Sequence, residues 1–399
     1  MQAFKSALWV ALLLGTACGE ANNEPPPPSA RGRCQALDFS GVDLEVEKFL
    51  GEQGLRGASS VIIDRECGQV YLKGHGQYSA DRVYLLASAS KVVSVGVLMW
   101  LSAQGRVDLD APIGSYLAAW GDSDKSTLTL AQLVSNSSGL VGLVDNPLYL
   151  PYACQYRPGG NLSECARSIY TASDSSHRIP PDTEFHYGGG QWQLAGGVAE
   201  QATGMSWAEL VRELYVDRCE AESFGYTNPF ALGGGIGSAL RYPESFDGDV
   251  TALPQTQNPN IEGGLYASAE DYGKLLLMHL RGGACSSGPV VPASELERMR
   301  EDRILTAYGG STSGMSGRTS GAGVGTGAGA FEGYGLGWWI DRQHPGVFAD
   351  PGLYGAFPWL DWERGYGMFF ALEADSGEVG AALFSRLKPL VDAAVDRAR

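Results

Sequence analysis

The chain is poor in positive charge. Its 29 lysines and arginines face 45 aspartates and glutamates, a formal charge of −16, and no basic stripe offsets the excess, which disfavours nucleic acid and other polyanions as partners. Histidine is scarce as well. The five histidines, His75, His177, His186, His279 and His344, form no H-E-x-x-H pair, and the cysteine spacings fit no common zinc pattern. Neither a metal site nor a cofactor is therefore expected. The apolar run nearest the N-terminus, Ala7 to Leu14, is too short to cross a bilayer.

That run fits a different purpose. Lys5 precedes it and Gly15-Thr16-Ala17-Cys18 follows, the pattern of a bacterial export signal over residues 1–17 ending at a lipid-modified Cys18. Gly15 stands where leucine is usual, so cleavage without lipid is the alternative. Residues 18–40, with prolines at 25 to 28, read as a Pro-rich, semi-rigid tether. The expectation is an exported protein of the cell envelope, in the periplasm or at the cell surface, held to a membrane by its lipid. Six cysteines remain: Cys34, Cys67, Cys154, Cys165, Cys219 and Cys285. An even count outside the cytoplasm predicts three disulfides. The ten residues between Cys154 and Cys165 include Pro158-Gly159-Gly160 and let the chain return on itself, and sequence order gives Cys34–Cys67 and Cys219–Cys285.

Periodicity places a helix over Asp43 to Leu55, strands over Ala58 to Asp64 and Val70 to Gly76, and a helical middle that includes Leu130 to Val134, capped by Thr129, and Gln191 to Thr203. Strand signals return at Leu336 to Asp341, Gly346 to Ala349 and Gly367 to Asp375, before an amphipathic helix from Glu378 to Arg399. Strands at both ends and helices between them predict one α/β (α+β) domain over 41–110 and 255–399, an antiparallel sheet flanked by helices, with an inserted, mostly helical domain over 111–254. Residues 309–329 read as a Gly-rich surface loop. Within it, Ser311 to Ser313 lie in G-S-T-S-G, and the G-x-S-x-G elbow of an α/β-hydrolase occurs nowhere in the chain. Gly233 to Gly237 follow no clear strand and read as a loop.

Ser88-Ala89-Ser90-Lys91 carries the chemistry. It opens the apolar stretch Val92 to Leu101, which stops at Gly105 and reads as a central buried helix. Residues three apart share a helix face, so Ser88 and Lys91 can meet. A lysine in apolar surroundings loses its proton more readily, which would make the serine a nucleophile.

With S-x-x-K come four more segments in order: Leu128 to Leu140, where a threonine-capped helix runs into Ser138-Gly139-Leu140; Glu184-Phe185-His186-Tyr187-Gly188-Gly189; Gly263-Gly264-Leu265-Tyr266-Ala267-Ser268; and Tyr334-Gly335-Leu336-Gly337-Trp338. Together they resemble the β-lactamase-related serine hydrolases, which include class C β-lactamases, DD-peptidases, D-aminopeptidases and β-lactamase-like esterases. The resemblance runs from about Asp43 to the C-terminal helix and implies a β-lactamase/transpeptidase-like fold. It makes Tyr187 the third catalytic group, a phenol whose pKa a nearby ammonium would lower. Asn136 stands where the family usually has histidine.

An acyl-enzyme also needs two N–H donors for the oxyanion. One is the backbone of Ser88. The other belongs to the strand motif, for which His344-Pro345-Gly346 and Asp350-Pro351-Gly352 compete. The second is preferred, because Leu353 to Asp361 follow where the family places a sheet-edge motif, and the donor is then Leu353. Two departures bear on substrate: Gly189 replaces an asparagine that binds an acylamide arm, and Asp350 replaces a lysine or histidine that meets a substrate carboxylate. Gly189, Asp350 and Gly352 are the expected substrate-binding residues. The reading is a serine hydrolase that cleaves a small ester, the alternatives being a β-lactamase or D-peptidase acting on cell-wall-type substrates and a silent binding protein on the same fold.

Overall fold

The computed structural model describes residues 28–140, 150–232, 241–307 and 331–399. Residues 1–17, expected to be an export signal, Cys18, Gly233 to Gly237 and residues 309–329, expected to be a Gly-rich loop, lie outside the described residues. In chain order the strands are β1 (Gly57–Asp64), β2 (Gly68–Gly76), β3 (Val83–Leu85), β4 (Gly225–Tyr226), β5 (Leu265–Ser268), β6 (Ala284–Cys285), β7 (Gly288–Pro289), β8 (Phe331–Tyr334), β9 (Trp339–Asp341), β10 (Val347–Ala349), β11 (Phe357–Asp361) and β12 (Tyr366–Ala371). The helices are α1 (Pro28–Ala36), α2 (Ser40–Gln53), α3 (Lys91–Ala103), α4 (Leu130–Val134), α5 (Leu162–Tyr170), α6 (Gly189–Thr203), α7 (Trp207–Val211), α8 (Ala269–Leu280), α9 (Ala293–Arg300), α10 (Arg303–Ala307) and α11 (Gly377–Ala398).

Seven strands make one antiparallel sheet in the order β2-β1-β12-β11-β10-β9-β8. The two ends of the sequence meet one strand in from the β2 edge, where β1 pairs β12 with Val61 opposite Phe369. Every residue of β1 is buried, because helices cover both faces. Side chains alternate across a strand. Val61 and Ile63 accordingly join Val92, Val95 and Leu276 of α3 and α8, whereas Ala58 and Ile62 join Val46, Phe49, Leu383 and Leu387 of α2 and α11. Tyr272 of α8 stacks on Phe369 at 4.3 Å, and such a pair adds about 0.5–1.5 kcal/mol beyond burial. The fold is the β-lactamase/transpeptidase-like one, an antiparallel sheet with helices.

The helical middle contributes α4 to α7. Thr129 caps α4 as the sequence implies: its hydroxyl accepts from the Gln132 N–H and the Gln132 side chain accepts from the Thr129 N–H, a box worth about 1 kcal/mol. Three disulfides are present, Cys34–Cys67, Cys154–Cys165 and Cys219–Cys285.

Two expectations need correcting. Residues 28–36 are helix, not extended tether, and this helix is fastened to the β1–β2 turn by Cys34–Cys67 and by Arg33, which pairs with Asp64 and Glu66. The prolines end at Pro28, so nothing beyond it forbids helical hydrogen bonding. Nor is the 350–361 segment at a sheet edge. β10 lies between β9 and β11, and β11, absent from the sequence reading as a strand, lies between β10 and β12.

Candidate active site

Ser88 sits in a 3-10 turn, Ala87–Ser90, that feeds directly into α3. Ala87, Ala89 and Ser90 are buried, and Ser88 alone of the four is partly exposed. The turn is held from every side. Leu86 N–H donates to Leu265 O at 3.0 Å, Leu265 N–H donates to Ser90 Oγ at 2.9 Å, Tyr272 donates to Ala89 O at 2.8 Å and Tyr226 to Ser90 O at 3.0 Å. Ala87 has φ 47°, a left-handed conformation that costs an L-residue about 1 kcal/mol or more. The surrounding hydrogen bonds sustain that strain beside the serine.

Lys91, the first residue of α3, is 0% exposed. Its ammonium donates to Glu262 O at 3.1 Å, lies 3.5 Å from Glu262 Oε2, and sits 4.5 Å from the centre of the Tyr187 ring. Tyr187 donates its hydroxyl hydrogen to Ser88 Oγ at 2.9 Å. Tyr187, distant in sequence, is thus brought into one set with Ser88 and Lys91. Tyr187 owes its place to the loop ahead of α6: Asn136 Oδ1 accepts from Gln191 Nε2 and Trp192 Nε1, both at 3.0 Å, and Asn136 O accepts from His186 N at 2.8 Å. The ring also stacks with Trp339.

The electrostatics differ from the sequence expectation. Burial alone would push the Lys91 ammonium down, but the charges of Tyr187, Glu262 and Asp350 carry it above its ordinary value. Burial raises the Tyr187 phenol, Lys91 draws it down, and Glu262 and Asp350 push it up again, so it too lies above its ordinary value. Both groups of the pair therefore hold their protons more tightly than they would in water. The two groups titrate as a unit, and in the mechanism proposed below one proton leaves the pair before Ser88 gives up its own.

Asp350 follows β10 and is fully buried. Its Oδ2 accepts from the Val92 N–H at 3.0 Å, so it caps the first turn of α3, where free N–H groups and the helix dipole favour an acceptor. Burial holds its carboxyl well above the usual range against the pull of Lys91. The expectation that Asp350 presents its charge to substrate is corrected: the side chain points under the helix. Gly352 packs on the serine turn so closely that a Cβ would stand 2.1 Å from Leu86 O. Leu353, next in sequence, is partly exposed and shares an apolar cluster with Ala87. His344, the rival motif, bonds Asp341 in the β9–β10 turn.

At Gly189 a Cβ would meet Gln155 Oε1 at 1.7 Å and Glu262 Oε1 at 2.0 Å. The space of the missing side chain is filled by Glu262 and Gln155, which the sequence reading did not identify. The one available signal was Gly189 itself, since an empty position in a packed wall must be filled from elsewhere.

Residues 42–399 match the family model described as Beta-lactamase, and the chain belongs to that family, whose members are serine hydrolases, esterases and peptidases among them. Penicillin-binding protein 4 of Amycolatopsis lactamdurans is 27% identical over 139 residues, covering 34% of each protein. The esterase/beta-lactamase LipL of Mycobacterium tuberculosis is 32% identical over 82 residues, 21% of this chain and 19% of LipL. The chain thus spans about a third or less of these relatives' own length. Among solved structures, EstCE1, a hydrolase with promiscuous acyltransferase activity, superposes with a TM-score of 0.66 at 17% identity over 92% of this chain and 99% of its own.

Proposed function

We propose that this protein is a serine hydrolase that forms an acyl-enzyme on Ser88, with Lys91 and Tyr187, and that it cleaves small neutral esters. The 2.9 Å hydrogen bond from Tyr187 to the partly exposed Ser88, beside buried Lys91, carries the reading. Ser88 Oγ attacks the ester carbonyl and its proton passes to the Tyr187–Lys91 pair. The tetrahedral intermediate takes hydrogen bonds from the backbone N–H groups of Ser88 and Leu353. Its collapse breaks the acyl–oxygen bond, and the pair returns the proton to the leaving alcohol. Water then repeats the steps on the acyl group and frees Ser88.

Esters are favoured over β-lactams and peptides because residue 189 brings no amide for an acylamide arm and the wall there carries the Glu262 carboxylate instead. The same carboxylate repels anionic substrates. The likeness to LipL, described as an esterase/beta-lactamase, supports ester cleavage and leaves the choice between esters and lactams to the wall residues. Export and lipidation at Cys18 belong to this proposal, and three disulfides fit an oxidising compartment.

Intact-mass analysis after exposure to p-nitrophenyl acetate and, separately, to a cephalosporin tests the reading. An acetyl adduct on Ser88 with turnover supports it. A cephalosporoyl adduct with no response to the ester would replace it with a β-lactamase or peptidase, and no adduct from either would leave a binding protein.

A further inference from the structure

Beyond the serine, lysine and tyrosine, we propose that Glu262 is a positioning residue whose carboxylate is the counter-charge of Lys91, seated in the space that a side chain at residue 189 would otherwise fill. This rests on the serine-hydrolase reading above. Glu262 holds the lysine twice, through its backbone carbonyl at 3.1 Å and its Oε2 at 3.5 Å. Its other oxygen occupies the volume in front of Gly189, 2.0 Å from where a Cβ would stand. The carboxylate is only 9% exposed as a residue, so solvent screens it little. Gly189 and Glu262 therefore act as one device: the glycine opens the room and the acid uses it to reach the lysine.

The groups that face Lys91 are few. Tyr187 comes from the loop before α6, Glu262 from the loop before β5, and Asp350 from the end of β10, while the indole of Trp192 lies 5.6 Å away. Nearby Tyr226 and Tyr334 are held neutral, their phenols raised by burial. Asp350 is already engaged on the Val92 N–H. Glu262 is thus the acid in salt-bridge reach of the ammonium. Its negative charge raises both Lys91 and Tyr187, and so delays the loss of the one proton that must leave the pair. Neutralising it makes that proton leave at lower pH.

The test is the pH dependence of kcat/KM on p-nitrophenyl acetate, a neutral substrate whose own charge does not change, for the wild type, Glu262→Gln and Glu262→Asp. The rising limb reports the pair's proton loss in the free enzyme. An opposite charge within about 4–6 Å shifts a group by roughly 1–3 pH units, so Glu262→Gln is expected to move the limb down by about one unit or more, and Glu262→Asp, which keeps the charge, to move it less. Should Glu262→Gln fail to fold, Glu262→Ala reads the same limb. A limb that stays in place in the neutral variant, with Ser88 still acylated by mass, overturns the proposal. Absence of acylation in the wild type would instead sink the functional reading.

Discussion

The floor of the site and its wall are built in different ways. The floor, Ser88 to Lys91, is a short continuous segment pinned by backbone hydrogen bonds and continued by a helix that is buried from Lys91 to Leu101. The wall is assembled from three distant places: Gly189 at the start of α6, Gln155 from the segment tied to α5 by Cys154–Cys165, and Glu262 ahead of β5. On the proposed mechanism the floor has little room for change, because its groups exchange the proton. The wall can change its chemistry while the floor stays the same, which is how one fold serves esters, lactams and peptides.

The comparison can be broken most severely at the floor and at Tyr187, which bonds to it. Ser88→Ala is expected to abolish ester turnover, and Lys91→Ala or Tyr187→Phe to lower kcat by about two to four orders of magnitude, the scale of a lost general base. Steady-state kinetics with a thermal melt on each variant checks this. Wild-type activity in Ser88→Ala would remove the nucleophile from the floor altogether.

Asp350, beneath the floor, sharpens the contrast. Asp350→Lys would bury a second ammonium beside Lys91 and lose the cap on Val92. An uncompensated buried charge costs about 3–5 kcal/mol, so this variant should unfold early, with no gain towards cephalosporins. Asp350→Asn keeps an acceptor for the Val92 N–H and should stay within about 1 kcal/mol of wild type, the scale of a single hydrogen bond. Chemical denaturation of the two variants decides whether Asp350 belongs to the helix or to the wall. A stable Asp350→Lys with new cephalosporin turnover would return it to the wall.

A smaller loss than that of Asp350→Lys is expected at Gly189. Asparagine there must displace Gln155 and Glu262, both ends of flexible side chains, at an overpacking cost of about 1–3 kcal/mol. We expect roughly a tenfold loss of kcat/KM on the ester, with the rising pH limb moving down because Glu262 is driven from Lys91. Unchanged kinetics would mean that the wall repacks without consequence.

Much of the floor was legible in the sequence, because its signals are local. S-x-x-K spacing, the apolar run after it and the Thr129 cap each depend on residues a few positions apart, each of the five segments is itself short, and the strands at both ends pointed to a single sheet. β11 was missed because Phe357-Pro358-Trp359-Leu360-Asp361 has a proline at its second position, which ordinarily argues against an interior strand; here Pro358 accepts from the Asp350 N–H. The helix over 28–36 was missed because prolines just before it dominated the composition.

What the sequence determined by itself was the nearness of Ser88 to Lys91 and the architecture that carries them, since spacing and periodicity act through neighbours along the chain, whereas Tyr187 entered through the family resemblance. What only the tertiary structure decided was charge. A lysine in an apolar helix reads as easily deprotonated, and a tyrosine beside it as acidified, until the fold buries the phenol, which raises it, and sets Tyr187, Glu262 and Asp350 around the ammonium, which outweigh its burial. Asp350 likewise reads as a substrate contact until the fold turns it under α3 onto Val92. Coulomb energy depends on distance through space, and no distance of that kind is written in the order of the residues.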